Sequence, residues 1–155
     1  MTTHIDRKLE QLGLTLPAAA APVASYVPTV EAHGMLYVSG QIPFDADGAL
    51  ILGRVGEGDC DLAFGQEAAR RCALMVVAQI KAALGGFDRV QRIVKLGVFV
   101  NSTADFTDQP QVANGASDLM VELFGEAGKH ARAAVGVPAL PRGVAVEVDA
   151  VIALD

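Results

Sequence analysis

The sequence predicts an α+β domain in which helices cover one face of a β-sheet. The predicted elements run in the order strands, helix, strand, helix, strands, which is typical of such a layered fold. The last predicted strand spans residues 144–154. One of its faces carries Val144, Val146 and Val148, and the other carries Ala145, Glu147, Asp149 and Val151. We therefore expect a buried face under the helices and a second, open face that is too apolar for water and packs against copies of the same chain.

The composition indicates one domain, residues 1–155, with a full hydrophobic core. Hydrophobic residues make up 52% of the chain and charged residues 19%. The net charge of −6 and the aromatic content of 5% argue against nucleic-acid binding, which needs basic and stacking side chains. The chain shows no signal peptide and no apolar window long enough to cross a membrane. These features predict a cytoplasmic protein without a membrane or nucleic-acid partner.

The first third of the chain reads as an N-terminal extension followed by a hairpin. Ile5, Leu9 and Leu12 have helical spacing, and a Pro/Ala-rich linker follows. Residues 1–21 are therefore assigned to the extension and linker, and residues 22–155 to the core. The dipeptide at 33–34, His-Gly, predicts the turn between two strands. A further short strand is predicted at 49–52.

The remaining elements alternate between helices and strands. A long helix is predicted at 61–84, with Asp61 as its N-cap and a Gly-Gly pair as its stop. The other elements are a strand at 90–100, a helix within 109–128 that is broken or begun near Gly115, a strand at 131–137 and a turn before the last strand. The predicted architecture is a sheet with two main helices packed on one face.

Arg132 stands out because it is a permanent charge in a run that reads as a buried apolar strand. A charge in such a setting needs a partner. One interpretation is a structural ion pair with a carboxylate of the protein. The other is a clamp for a ligand carboxylate, since a guanidinium offers two parallel hydrogen bonds to that group.

Other polar residues admit both a structural and a functional interpretation. Glu147 is either an exposed strand carboxylate or, in a shielded pocket, a general acid or base. Ser39 lacks the surroundings of a nucleophile, so it and Tyr26 are candidate hydrogen-bond donors to a ligand. His130 would face the same side as Arg132, as a phosphodiester-cleaving pair would require, although an exposed loop histidine is the simpler interpretation.

The sequence predicts no metal site. Cys60 and Cys72 match no zinc or disulfide spacing, so we expect two free thiols. No His, Cys and carboxylate cluster has the spacing of metal ligands. The glycines of residues 48–58 do not follow the order of a nucleotide-binding loop. Without a further clue the residues indicate only a small-molecule site, for a carboxylate.

Three stretches, in order, resemble the reactive intermediate deaminase (RidA-like or YjgF-like) family, formerly called L-PSP endoribonucleases or translation initiation inhibitors. The first is "SYVPTVEAHGMLYVSGQIPFDADGAL", with a tyrosine, a hairpin and a Ser-Gly-Gln-Ile-Pro motif. The second is "VKLGVFVNSTADF". The third is "ARAAVGVPALPRGVAVEVDAVIA", with an arginine, a short strand, Leu-Pro and a last strand containing a glutamate. The resemblance runs from about Pro22 to the C-terminus.

The resemblance implies a chorismate-mutase-like fold and a homotrimer whose sites lie between subunits. It implies hydrolysis of enamine or imine intermediates, such as 2-aminoacrylate, to a 2-keto acid and ammonia, without metal or cofactor. Arg132 matches the family's carboxylate-binding arginine, and Glu147 matches the glutamate that acts with the attacking water. Tyr26 and Ser39 match two further pocket residues.

The chain also departs from the family pattern. Ala134 stands where a cysteine is frequent, and Ser117 aligns with a frequent asparagine, for which Asn114 is a nearby substitute. The N-terminal extension is absent from the shortest members. Two competing functions therefore remain: a regulatory trimer that binds a small carboxylate without turnover, and an endoribonuclease.

Overall fold

The computed structural model describes residues 3–22 and 24–155 and contains one mixed five-stranded sheet. The helices are α1 (His4–Gln11), α2 (Leu62–Leu84) and α3 (Gln109–Phe124). The strands are β1 (Thr29–Ala32), β2 (Met35–Gln41), β3 (Val90–Asn101), β4 (Ala131–Val137) and β5 (Val146–Leu154). Their order across the sheet is β1-β2-β5-β3-β4, and only β3 and β4 of these neighbours run parallel. The predicted α+β class is confirmed.

The sheet buries one face and leaves the other open, as the alternation along the last strand predicts. Leu96, Val98 and Val148 are buried beneath α2 and α3 with the rest of the core. Large apolar side chains of the opposite face stay exposed, namely Val30, Tyr37 and Val135. The open face therefore has the apolar character expected of a surface that packs against another chain.

The long helix α2 begins and ends where the sequence predicts. The Asp61 side chain accepts a hydrogen bond from the backbone N–H of Phe64 at 2.9 Å, which caps the first turn. Gly85 ends the helix in the left-handed conformation, with φ of 73°.

Helix α3 corrects the prediction of a break near Gly115. The helix continues from Gln109 to Phe124, and residues 125–128 follow as a 3-10 turn. A Cβ atom at Gly115 would lie 2.0 Å from the backbone oxygen of Gln66 in α2. This glycine is therefore present because two helices touch there, not because the helix stops.

Two further predictions need correction. Residues 49–52 form no strand; Leu50 and Leu52 make only isolated bridges to Phe44 and Val144. The last strand begins at Val146 rather than at residue 144. Among the described residues, no helix is both long enough and apolar enough to cross a membrane.

Candidate functional site

Arg132 lies on β4, the edge strand, with its guanidinium against α3. Nη1 donates to Asn114 Oδ1 at 2.9 Å and to Ser117 Oγ at 3.0 Å, and Nη2 donates to the carbonyl of Pro110 at 3.3 Å. The residue is half-buried, so the prediction of a buried strand around it is wrong: an edge strand covers fewer of its side chains.

All of these hydrogen-bond partners of Arg132 are neutral. Within residues 3–22 and 24–155, the ion pairs involve other cationic side chains, and no carboxylate lies within 4.0 Å of this guanidinium. The ion-pair interpretation therefore finds no support. The guanidinium is held in place by neutral oxygens while its charge stays uncompensated, which is the state that a ligand carboxylate requires.

His130 joins the same cluster through Ser117. Its Nδ1 lies 2.6 Å from the carbonyl oxygen of Gly128, which can only accept, so Nδ1 carries the hydrogen. Its Nε2 lies 2.8 Å from Ser117 Oγ. The hydroxyl can accept from Arg132 and donate to the imidazole at once. The shared side of His130 and Arg132 is confirmed, but the histidine is half-buried rather than exposed.

Glu147 lines a different cavity, of about 380 Å³. Tyr26 and Gly40 contribute to the same cavity. Burial, and secondly the nearby negative charge of Asp149, raise the pKa of the Glu147 carboxyl above its ordinary value. A Cβ at Gly40 would lie 2.9 Å from the carboxyl carbon of Glu147. The glycine of the Ser-Gly-Gln-Ile-Pro motif thus makes room for this side chain.

Ser39 is a structural neighbour of this cavity rather than part of its lining. Its Oγ donates to the carbonyl of Val27 at 2.8 Å. This hydrogen bond connects β2, which carries the Ser-Gly-Gln-Ile-Pro motif, to the segment before β1. Tyr26 lies in that segment and is 52% exposed.

The structure does not bring Arg132 and Glu147 together within one chain. Arg132 pairs with Leu96 of β3, whereas Glu147 pairs with Phe99 of the same strand. Positions 96 and 99 are an odd number of residues apart and point to opposite faces. Ala134 packs against the core on the helix side, with Arg132. The predicted site residues therefore form two clusters: Arg132, Asn114 and Ser117 beside α3, and Glu147 with Tyr26 on the open side.

Sequence reasoning missed Arg142, which lines the Glu147 cavity. It lies in the turn between β4 and β5 with φ of 61°, a conformation that non-glycine residues rarely adopt. Its place in the segment Leu-Pro-Arg-Gly suggested only a turn. The proximity of a cation to the strand of Glu147 was the signal available.

The cysteines and acidic residues form no metal site in the part of the chain that the structure describes. Both cysteines are free thiols, as predicted. Cys72 is fully buried, and burial raises the pKa of its thiol well above the ordinary value, so it stays protonated.

The fold defines a two-layer α+β protein with polar clusters on both sides of its sheet, and comparisons with known proteins identify the family. The family model described as "YjgF/chorismate_mutase-like, putative endoribonuclease" matches residues 6–151. The chain therefore belongs to the YjgF family. The resemblance drawn from the motifs and the chorismate-mutase-like fold are both confirmed, and the match extends further toward the N-terminus than the motifs do.

Similar proteins cover nearly the whole chain. Protein TCP17 of Trypanosoma cruzi is 55% identical, covering 98% of this chain and 95% of that protein. The crystal structure of Atu1372 from Agrobacterium tumefaciens has 44% identity and a TM-score of 0.89, covering 97% of this chain and 94% of that one. A Shewanella oneidensis structure that carries the endoribonuclease label has 33% identity and a TM-score of 0.92, covering 97% and 99%.

Two more distant relatives have names that bear on chemistry. E. coli TdcF, solved with bound serine, is 26% identical with a TM-score of 0.62, covering 87% of this chain and 92% of that one. A protein of Dermatophagoides farinae named 2-iminobutanoate/2-iminopropanoate deaminase is 23% identical, covering 92% and 95%.

Proposed function

We propose that this protein hydrolyses 2-imino acids, and the enamines in equilibrium with them, to 2-keto acids and ammonia. The observation that carries the proposal is the guanidinium of Arg132, which is held by the neutral oxygens of Asn114, Ser117 and Pro110. A cation fixed in this way is oriented to bind a substrate carboxylate. The attraction between the two charges becomes stronger when the bound substrate displaces water from around the guanidinium.

The proposed reaction needs little more than binding and one oriented water. Water adds to the imine carbon, and Glu147 accepts a proton from that water. The carboxyl returns this proton to the nitrogen, which gives a carbinolamine with one hydroxyl and one amino group. Glu147 then takes the hydroxyl proton and passes it to the amino nitrogen, so the C–N bond breaks and ammonia leaves as the carbonyl forms. Because the pKa of Glu147 is raised, its carboxylate is a better proton acceptor than an ordinary one. Tyr26 offers a hydroxyl for orientation.

The proposed site lies between two subunits of a homotrimer. Arg132 and Glu147 point to opposite faces of one sheet, so a single chain cannot place both on one small substrate. Arg132 lies on an edge strand, and the open sheet face is apolar. A neighbouring chain that covers this face can bring its own β4 edge beside the Glu147 cavity.

The named relatives support this choice of substrate class. One carries the name of an imine deaminase, and another binds serine, a small molecule with a carboxylate. Carried over to this chain, both agree with a carboxylate-binding arginine beside a proton acceptor.

The proposal is tested by imine hydrolysis in Arg132 variants. Arg132→Lys keeps the charge but loses the planar fork, so we expect kcat/KM to fall about ten- to a hundredfold, since charge-assisted hydrogen bonds contribute roughly 1.5–3 kcal/mol each. Arg132→Ala should cost more. The substrate is 2-aminoacrylate generated in place, and keto-acid release above the spontaneous rate is measured together with melting temperature and oligomeric mass.

Two further arginines serve as comparisons for Arg132. Arg54 donates to a backbone carbonyl, that of Pro138, and its alanine variant should keep wild-type activity. Arg142 is the rival, because it shares a cavity with Glu147. Full activity in Arg132→Ala together with loss in Arg142→Ala would move the carboxylate site into one subunit and overturn the proposal. Binding of 2-keto acids without any turnover would favour the regulatory trimer.

The endoribonuclease function has one observation in its favour, the contact of His130 and Arg132 with the same serine hydroxyl. The net charge of −6 opposes it. We expect no RNA cleavage above that of a mock purification from the same host. Robust cleavage that disappears in His130→Ala, and survives in Arg132→Lys, would instead make RNA the substrate.

A further inference from the structure

The N-terminal segment reaches the Glu147 cavity. After α1, the chain runs through residues 13–22 without helix or strand, and its last part lines the cavity with Ala20, Ala21 and Pro22. Helix α1, which precedes this segment, is fixed because Ile5 and Leu9 are buried in the core. Asp6 pairs with Lys81 of α2 at 2.8 Å. The segment is therefore part of the folded structure and of the candidate site.

A buried amide on α2 fixes the end of this segment. Gln79 is 2% exposed, and its Nε2 donates to the carbonyl of Ala20 at 2.9 Å and to Gln41 Oε1 at 3.2 Å. Gln41 in turn donates to the carbonyl of Ser39 at 2.9 Å. Burying an amide is costly unless its hydrogen bonds are made. This chain of bonds therefore holds the N-terminal segment at a set distance from the motif strand β2.

The cavity between the segment and β2 is mostly apolar. Its polar side chains are Glu147, Arg142, Gln41 and the hydroxyl of Tyr26. The remaining lining consists of apolar residues and one glycine, among them Ala20, Ala21, Pro22 and Phe44. Such a lining suits an uncharged, apolar group of a ligand that lies next to the Glu147 carboxyl.

We propose that Ala20, Ala21 and Pro22 form one wall of a compartment that receives the side chain of the imino acid. The wall limits the size of that side chain and favours apolar ones. This inference rests on the proposed function, because it takes Glu147 as the group beside the reacting carbon. It assigns to the N-terminal segment the role of determining substrate specificity.

The experiment compares two imines in two matched leucine variants. An amino-acid oxidase with catalase generates the imines of alanine and leucine, and semicarbazide competes for them. The variants are Ala21→Leu, which fills the compartment, and Ala19→Leu. Ala19 is also exposed, but it lines a neighbouring cavity of about 770 Å³ instead. The quantity measured is the ratio of kcat/KM for the leucine imine to that for the alanine imine.

We expect Ala21→Leu to lower this ratio about tenfold, the size of effect that one or two methylene groups have in an apolar pocket. Ala19→Leu should leave it unchanged. Pro22→Ala widens the compartment and should raise the ratio. Equal ratios in the wild type, Ala21→Leu and Pro22→Ala, with melting temperatures preserved, would overturn the inference.

A second readout separates this inference from the proposed function. If the wild type hydrolyses neither imine, the proposed function fails. The compartment is then judged by binding, as the rise in melting temperature that pyruvate and 4-methyl-2-oxopentanoate produce. Selective loss of stabilisation by the larger keto acid in Ala21→Leu supports the compartment, and equal responses in both leucine variants contradict it. The same binding measurement tests the compartment if Ala21→Leu is folded but inactive.

Discussion

At the scale of single residues, Glu147 has an environment that links its pKa to its proposed role. Loss of water by burial, and then repulsion from Asp149, raise the pKa of its carboxyl above the ordinary value of 4.5. A general base works best when its pKa approaches the working pH. The same two causes make the charged form of this residue unfavourable in the folded chain.

We expect Glu147→Gln to lower kcat/KM about a hundredfold or more, the usual contribution of a general base. In the wild type, kcat/KM should rise with pH through the raised pKa, as the carboxyl loses its proton. The variant should lose this rise. The measurement is a pH profile of imine hydrolysis for both proteins, and an unchanged rising limb in the variant would assign the proton acceptor to another group.

Stability supplies an independent check on the same carboxyl. A raised pKa means that the folded chain holds the proton more tightly than the unfolded chain. The protonated Glu147 carboxyl therefore stabilises the folded chain below pH 4.5, and this stabilisation is lost as pH rises through the raised pKa. The melting temperature of the wild type should fall relative to that of Glu147→Gln over this window. Glu67→Gln is the control at an exposed position and should follow the wild type.

At the scale of the element, the contact between α2 and α3 depends on Gly115. Glycine normally weakens a helix, and alanine at an open helical position stabilises by about 1 kcal/mol. Here the added Cβ would lie 2.0 Å from the Gln66 backbone oxygen, which cannot rotate away. The two helices would have to separate. Gly115 thus lowers the intrinsic stability of α3 but allows α2 and α3 to pack closely.

Gly115→Ala should therefore destabilise the protein, by about 1–3 kcal/mol, as overpacking usually does. The sign of the change in stability distinguishes two roles of Gly115, because replacing a glycine that merely interrupts a helix with alanine would stabilise the protein. The free energy of unfolding is measured by denaturant titration. Asp118→Ala, at an exposed position of the same helix, should change it by less than about 0.5 kcal/mol.

The same element shows what the sequence could and could not indicate. The ends of α2 follow from Asp61 and Gly85, because capping depends on neighbours in the chain. The continuity of α3 does not follow, because the reason for Gly115 lies on another helix. A helical glycine that receives a neighbouring backbone and one that breaks a helix look alike in sequence.

At the scale of the whole molecule, the separation of Arg132 from Glu147 predicts a site shared between subunits. We expect light scattering to report a mass three times the 16.1 kDa of the chain. A clean monomer at micromolar concentration would contradict the shared site. The stronger test is complementation between two inactive variants.

Co-expressed Arg132→Ala and Glu147→Gln chains should recover activity that neither has alone. In each mixed trimer, one of the three sites receives its Arg132 and its Glu147 from the two chains that keep the native residue. The two chains carry different affinity tags, and activity is measured after purification on both tags. Absence of recovery in verified mixed trimers would place both residues in a site built by one subunit.

The sequence by itself determined the layered α+β fold, the buried face of β5 and the identities of Arg132 and Glu147 as residues worth testing. In β5, valines alternate with Glu147 and Asp149, and this pattern predicts that the valine side is buried. Strand β4 has no such alternation, since small residues occupy both of its sides. The tertiary structure therefore had to decide that Arg132 points to α3, away from the side of Glu147. It also decided that buried Gln79 holds Ala20 at the cavity, a contact between residues 59 positions apart. Local periodicity cannot encode such contacts, because register across strands and hydrogen bonds between distant segments arise only when the chain packs.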